Sequence, residues 1–293
     1  MIRKFALLIY CLYGECLKLL ICTRIFSIPF GLNRTDIRKE KVIVSLTSYG
    51  RRVSKILPYT IVSLLRQTYK PDMIILWLDS DNWNENNLPD KLLRLKDKGL
   101  TIRYCKDVKS YKKLIPALEM FPDDIIITCD DDIYYKRNMV ERLISAYSNN
   151  PNRIYTHRAH KPILGGNGNL KSYREWDIET TDINNAHIFP TGGGGCLYKR
   201  SLLYKDVCRE DLFMELAPKA DDVWFYFMEV LQKTPRVVLP SRGAIFYSLD
   251  FFYQYFHSNA SLYASNCGQS QNDMQIRAVM EYYDLKPIDL MND

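Results

Sequence analysis

Residues 41–150 alternate between two hydrophobic rhythms. KVIVSL (41–46), MIILWLD (73–79), LTIRYC (100–105) and DIIITC (124–129) are short, nearly continuous apolar runs rich in β-branched residues, as strands buried on both faces require. Between them lie stretches with helical spacing. One runs from Lys55 to Gln67 with Pro58 in its first turn, a second from Asn87 to Gly99 with the glycine as stop signal, and a shorter one lies within KKLIPALEMF (112–121). A further helix is predicted over 138–150. Strands that each return through a helix predict an α/β fold, with a mostly parallel sheet flanked by helices on both faces. Ligands of such sheets bind beyond the carboxyl ends of the strands. That rule sets Thr47, Ser48 and Arg51 after the first strand, Asp79 and Asp81 after the second, and Asp130–Asp132 after the fourth, all on one rim.

Residues 151–293 are less regular, with TGGGGCLY (191–198) and ADDVWFYFMEVL (220–231) as landmarks. No internal repeat, low-complexity tract or linker interrupts the chain, so a single domain is expected over 36–293, preceded by an apolar and basic segment, 1–35. Residues 1–30 are the most apolar region, opened by Arg3 and Lys4 and interrupted by Glu15, Lys18 and Arg24. A spanning helix needs about twenty consecutive apolar residues, and a secretory signal needs a small-residue cleavage site; neither pattern is met. The expectation is a helix lying in the membrane interface, peripheral at the inner face of the cell membrane. The alternative is a helix docked on the protein's own surface.

Composition narrows the classes further. A chain that is 47% hydrophobic and 25% charged is an ordinary globular protein. Its net charge of +6 permits anionic partners such as phosphates or acidic lipids but lacks the basic stripes of a nucleic-acid binder. The eight cysteines form no CxxC pair and several sit in apolar runs, so a reducing, cytoplasmic compartment is expected, without a disulfide framework or a zinc site.

The chemistry concentrates where IIITCDDDIYY (125–135) surfaces in three aspartates. Like charges this close repel one another unless a cation sits among them. The Asp-x-Asp pair Asp130 and Asp132 can hold Mn2+ or Mg2+, which favour carboxylates, water and a diphosphate; a solvated turn is the alternative. Lys112 and Lys113, like Arg51 and Arg52, could meet an anionic phosphate or simply be solvated helix ends. The glycines of TGGGGCLY suit close approach of backbone to a ligand, with Gly193 and Gly194 at the centre. A phosphate-cradling P-loop would need a following Lys-Ser/Thr, which is absent. Asp221 and Asp222 open a predicted helix, where the dipole favours negative charge, and either is a candidate general base, Asp222 first. His157 and His160 in THRAH would face opposite sides of a strand, which argues against a zinc pair. These two, with His187 and His257, read as structural, a metal or diphosphate contact by one of them being the minor alternative.

Taken in order, VSLTSYGRR, LWLD, SYKKLIPAL, TCDDDIYY, GGGG and ADDVWF resemble a bacterial family-2-like glycosyltransferase of the GT-A fold, over roughly residues 41–240. The resemblance implies a nucleotide-sugar donor, a UDP-sugar being favoured, bound by residues 41–150, and an acceptor and catalytic half formed by 151–293. It implies Mn2+ or Mg2+ at Asp130 and Asp132, with Asp132 the direct ligand and Asp131 toward the ribose. Thr47, Ser48 and Tyr49 would line the nucleotide pocket and Asp79 would meet the base. Arg51 and Lys113 would serve the diphosphate, with Gly193 and Gly194 against the donor sugar or the acceptor. Asp222, or Asp221, would take the proton of an acceptor hydroxyl in an inverting displacement, and Trp224 would stack on a sugar ring. Two departures from the family pattern stand out: DSDN replaces the acidic-Gly-Ser block after the second strand, and Asp221-Asp222 replaces Glu-Asp, which leaves the base open between the two. A glycan or lipid-linked glycan acceptor in capsule or other surface polysaccharide synthesis follows by association with the fold.

Three other readings stay open. Sugar-phosphate nucleotidyl transfer predicts a glycine-rich basic loop after the first strand, of which SYGRR is a thin version. A phosphatase using Asp-x-Asp as nucleophile would carry it on the first strand rather than the fourth. A non-catalytic glycan- or membrane-binding protein on a transferase scaffold predicts donor binding indifferent to metal.

Overall fold

The four apolar runs form strands within a residue or two of their expected bounds. The structure is a computed structural model that describes residues 12–16, 18, 19, 31–177, 180, 187–240, 246–250 and 270–291. In chain order, β1 (Val42–Thr47) leads into α1 (Arg52–Lys55) and α2 (Leu57–Leu65), then β2 (Met73–Asp79), α3 (Asp90–Lys96), β3 (Leu100–Cys105), α4 (Ile115–Met120) and β4 (Ile125–Cys129). After these come β5 (Ile133–Tyr135), α5 (Met139–Asn149), β6 (Ile154–Thr156), β7 (Ala159–His160), β8 (Phe189–Pro190) and β9 (Cys196–Tyr198). The chain closes with α6 (Glu210–Leu216), α7 (Asp221–Leu231), β10 (Arg236–Val238), β11 (Phe246–Ser248) and α8 (Gln271–Tyr282).

Among the described residues the main sheet has seven strands in the order β10-β6-β9-β4-β1-β2-β3. All pairs are parallel except those that β9 makes with β4 and β6. The sheet therefore draws strands from both halves of the chain. Its two faces are read directly from the period of two along β1: Val42, Val44 and Leu46 join one buried cluster with Leu57, Ile61 and Val140, and Ile43 joins another with Tyr111, Phe225 and Val279. Two short antiparallel ribbons, β5–β11 and β7–β8, stand beside the sheet.

The helices differ from expectation at their starts. The stretch from Lys55 splits at Ile56 (φ −121°) into α1 and α2, and Pro58 takes a first-turn place in α2, where its missing N–H costs nothing. Lys112 and Lys113 sit in a 3-10 turn, Lys109–Lys113, ahead of α4. That turn buries both lysines, which a solvated helix end would have left exposed.

Most of residues 1–30 lies outside the described residues. Those described, 12–16 and 18–19, are helical and rest on the β11 strand: the Tyr13 and Tyr247 rings are 4.6 Å apart, and Lys18 Nζ donates to the Leu249 carbonyl at 3.0 Å. Leu12, Tyr13 and Leu19 are exposed there. No helix among the described residues is long and apolar enough to cross a membrane. Cys16, Cys105, Cys129, Cys196 and Cys208 are free thiols; Cys11, Cys22 and Cys267, like His257, lie outside the described residues.

Candidate active site

The rim beyond β1 and β4 is built around the turn that Asp130, Asp131 and Asp132 make between β4 and β5. A fully buried tyrosine fastens this turn to the glycine loop: Asp130 N–H donates to the Tyr135 hydroxyl (2.8 Å), which donates in turn to the Gly193 carbonyl (3.1 Å). Thr60 donates to the Asp131 carbonyl (2.9 Å) and Leu249 N–H to the Asp132 carbonyl (2.8 Å). Four elements thus fix the backbone before any side-chain charge is considered.

The side chains then divide among cations. Lys113 Nζ lies 3.1 Å from Asp130 Oδ1 and 3.0 Å from Asp221 Oδ2. Arg52 reaches Asp131 (2.8 Å), Asp132 (3.0 Å) and Asp250 (3.1 Å). Arg51 also pairs with Asp250, and the Ser48 hydroxyl donates to Asp131. Asp222 Oδ1 accepts the Gly192 N–H at 3.1 Å.

These partners set the charge states. Burial opposes ionisation of Asp130, but Lys113 outweighs it and, with Arg158 and Arg52, holds the carboxyl below its ordinary value. Burial also works against the Lys113 ammonium, yet Asp130, Asp221 and Asp222 together hold its pKa well above the usual lysine value. Burial pushes Asp131 up to about 7, against the pull of Arg52. It also pushes Asp222 up to about 7, with Lys113 pulling down and Asp221 and Asp130 adding to the rise.

The glycine loop is packed from three sides. A Cβ at Gly192 would stand 2.9 Å from Lys113 Nζ, one at Gly193 2.9 Å from Asp130 Oδ2, and one at Gly194 2.7 Å from the Arg158 side chain. Gly195 takes φ +93°, which side chains rarely adopt. The four glycines are what let this loop lie directly on the carboxylates, as close approach to a site requires.

Of the residues expected on the rim, Ser48, Arg51, Lys113, Asp130–Asp132, Gly193, Gly194, Asp221 and Asp222 come together here. Thr47 Oγ1 donates to the Trp77 carbonyl (2.8 Å) at the foot of the rim, and Tyr49, 48% exposed, stands at its mouth with Arg52 5.6 Å from the ring centre. Asp79 is buried and turned inward on its own loop, accepting from the Asn82 N–H (2.8 Å) and side-chain amide (2.7 Å). Two expectations are corrected, for Trp224 and Lys112, while His157 and His160 are structural as expected. Trp224 is fully buried and donates to the Val207 carbonyl (3.0 Å), because α7 turns that face to the core, so it offers no ring to a sugar. Lys112 pairs with Asp107 and not with the rim. His157 donates from Nε2 to the Met139 carbonyl (3.0 Å) and His160 stacks among Tyr173 and Phe189; burial holds both near a pKa of about 4 and therefore neutral.

Arg52, expected either to meet a phosphate or to be a solvated helix end, holds the aspartate turn instead, and Tyr135 and Asp250 join the site without having been expected there. Tyr135 follows from strand alternation, since it shares the inward face of β5 with Ile133. Asp250 carries no local signal, because β11 reaches the rim only through tertiary pairing with β5.

A divalent cation fits this donor set. No three of His, Cys, Asp and Glu converge into a closed protein cage among the described residues. Mg2+ and Mn2+ do not need one, since they bind through one or two carboxylates and take phosphates and water for the rest. Asp130, whose side chain is 37% exposed, and Asp132, 17% exposed, are two carboxylates of one turn, held by Lys113 and Arg52 respectively. Among the described residues, Asp130, Asp131, Asp132, Asp221, Asp222 and Asp250 face the cations Arg51, Arg52, Lys113 and Arg158, a surplus of carboxyl groups that a metal can draw on.

Several known proteins are similar to parts of this chain. A glucosyl-dolichyl phosphate glucuronosyltransferase of Haloferax volcanii is 26% identical over 117 residues, covering 39% of this chain and 36% of that protein. Mannosyltransferase PcManGT from Pyrobaculum calidifontis, solved in complex with GDP-Man and Mn2+, aligns at TM-score 0.44 and 12% identity over 79% of this chain and 62% of its own. TarS 1-349 of S. aureus, solved with UDP, aligns at 0.46 and 14% over 71% and 60%. This chain spans less than two thirds of the length of each, and these likenesses assign no residue here. The model of Glycosyl transferase family 2 matches residues 43–207, more than half of the chain. The matched span runs from β1 through the aspartate turn and the glycine loop and ends before Asp221. With that match, the chain belongs to glycosyl transferase family 2.

Proposed function

We propose that this protein transfers a sugar from a nucleoside-diphosphate donor, a UDP-sugar being favoured, to a hydroxyl of a glycan or lipid-linked glycan, with inversion, in surface polysaccharide synthesis. The observation that carries this reading is the link Asp130–Lys113–Asp221, with Asp222 held beside it by Gly192. It puts a carboxylate suited to the donor's metal and a carboxylate suited to the acceptor's proton on one small rim.

Asp130 and Asp132 would hold Mn2+ or Mg2+, which would supply positive charge against a departing diphosphate. Tyr49 offers a half-exposed ring face to the nucleobase, above the polar floor formed by Thr47 and Ser48. Asp131 meets the ribose only by releasing Ser48 or Arg52, and Asp79 meets the base only by releasing Asn82. Arg51 and Lys113 add positive charge along the diphosphate, and Gly193 and Gly194 give the donor sugar a surface without side chains. Asp222 is the base. The acceptor oxygen bonds to the anomeric carbon as the bond from that carbon to the diphosphate oxygen breaks, and the hydroxyl proton passes to Asp222. Asp221, held by Lys113, positions the pair.

Residues 36–293 act as one domain in this reading, since one sheet takes strands from both halves. The N-terminal segment makes peripheral contact with the inner face of the cell membrane, in keeping with the exposed Leu12, Tyr13 and Leu19.

The test is donor binding and hydrolysis across a panel of nucleotide sugars, with and without Mn2+, for the wild type and Asp132→Ala. Metal-dependent turnover of one donor that is lost in the variant supports the reading and names the sugar. If no nucleotide sugar binds under either condition, the assignment fails.

A further inference from the structure

All three nitrogens of the Arg52 guanidinium face carboxylates. Nε donates to Asp250 (3.1 Å), Nη1 to Asp131 (2.8 Å), and Nη2 lies 3.0 Å from Asp132. The Arg52 side chain is 18% exposed and that of Asp250 3%, so neither charge has much water to fall back on. Two of the three partners belong to the aspartate turn. The third arrives from elsewhere: Asp250 follows β11, whose pairing with β5 and whose Leu249 N–H bond to the Asp132 carbonyl fix it against the same turn.

A divalent cation approaching Asp130 and Asp132 meets a guanidinium already holding Asp132. Two cations at contact distance on one carboxylate repel strongly, and a partly buried site screens that repulsion poorly. Were the turn its sole source of counter-charge, Arg52 would be a permanent occupant. Asp250 removes that constraint, since it grips Nε from the opposite side and leaves the guanidinium a buried counter-charge after Asp132 is given up.

We propose that Arg52 is a built-in counter-cation that neutralises Asp132 before metal binds and then surrenders it to the divalent cation, with Asp250 as the anchor that keeps the guanidinium in the site. This rests on the metal-dependent transferase reading above. It makes Arg52 and Asp250 positioning residues with opposite effects on metal uptake. It also makes loading ordered: the metal alone binds weakly, and the negative charge of a nucleoside diphosphate tips the exchange.

The experiment is Mn2+ uptake by the whole chain, read from the paramagnetic resonance of free Mn2+ with and without UDP, for the wild type, Arg52→Gln, Arg52→Lys and Asp250→Asn. Thermal unfolding checks that each variant is folded. Arg52→Gln is expected to bind Mn2+ without nucleotide about tenfold tighter than wild type, because one nearby positive charge is gone. Arg52→Lys keeps the charge but has one nitrogen for three carboxylates, so it also tightens binding, by less. Asp250→Asn leaves Arg52 to the turn and weakens uptake. In Arg52→Gln the gain from adding UDP shrinks.

Weaker or unchanged uptake in Arg52→Gln overturns the proposal, as does Arg52→Lys matching wild type or Asp250→Asn binding as well as wild type. In those cases Mn2+ uptake by the wild type still stands, and with it the metal-dependent reading. If the wild type takes up no Mn2+ even with UDP, the reading itself fails and takes the proposal with it.

Discussion

Lys113 lies 3.0 Å from Asp221, and that contact separates two adjacent aspartates that are equivalent in sequence. Asp221 is buried and committed to the ammonium, whereas its neighbour Asp222 is partly exposed and accepts a single backbone N–H from Gly192. A base needs a free lone pair and access to the acceptor; Asp222 has both. Asp222→Asn is therefore expected to lower the transfer rate at saturating donor by about a hundredfold or more while donor affinity stays near wild type. Asp221→Asn leaves Lys113 with Asp130 and is expected to cost far less in rate. Steady-state kinetics of both variants decide the assignment, and a larger loss in Asp221→Asn reverses it.

The pH profile carries the same assignment with a definite sign. Burial raises Asp222 to about 7, and it must be deprotonated to accept a proton. The rate of transfer is expected to rise with pH, level off above that value, and fall about tenfold for each unit below it. A wild-type profile flat from pH 5 to pH 8 removes Asp222 as base. In Asp222→Asn the residual rate should lose this acid limb.

Gly193 tests whether the loop is close to the aspartate turn for a reason. A Cβ there would stand 2.9 Å from Asp130 Oδ2, with Arg158 3.5 Å away on the other side, so the Asp130 carboxylate has to move. Gly193→Ala is expected to raise the Mn2+ and donor concentrations needed for half-maximal rate by about tenfold, with thermal stability little changed because the displaced group is a side chain. Gly195→Ala is the control. Its φ of +93° makes alanine strained, and it is expected to lower the melting temperature instead.

The same pair of glycines shows how far the sequence could be read. Period-two and helical spacing located the elements of 41–150, because each strand is buried on both faces and each helix on one. The rule that sites lie beyond strand ends then placed Ser48 and Asp130–Asp132. What escaped depends on contacts remote in sequence. Asp250 enters by β11 pairing with β5, whose partners lie 111 to 115 residues apart in the chain, and no local pattern marks it. Trp224 was misread because an aromatic next to a site motif looks the same whether its helix turns it inward or outward. Only the contact of its indole with the Val207 carbonyl shows the direction. Arg51 and Arg52 look alike in sequence, and only the tertiary contacts separate them: Arg51 pairs with Asp250, whereas Arg52 reaches Asp131 and Asp132 as well.

Glu229 offers a prediction about stability that is independent of the catalytic proposal. It is 0% exposed on α7, and neither of its carboxylate oxygens has a hydrogen-bond partner among the described residues. Burial raises its pKa from 4.5 to about 8, with Arg236 pulling down and Asp222 adding to the rise. The folded state therefore holds a proton that the unfolded chain releases near pH 4.5. A carboxyl raised in this way contributes stability that is whole below the unfolded value and is lost as pH climbs through the folded one. Across that window the native state of the wild type should lose about 1.4 kcal/mol per pH unit from this group. Glu229→Gln cannot ionise and is expected to be free of that slope. Denaturant unfolding at pH 5 and pH 8.5 checks it: the stability of Glu229→Gln relative to wild type should rise between the two. Parallel losses in both proteins would mean that Glu229 is charged in the folded state, compensated by Arg236.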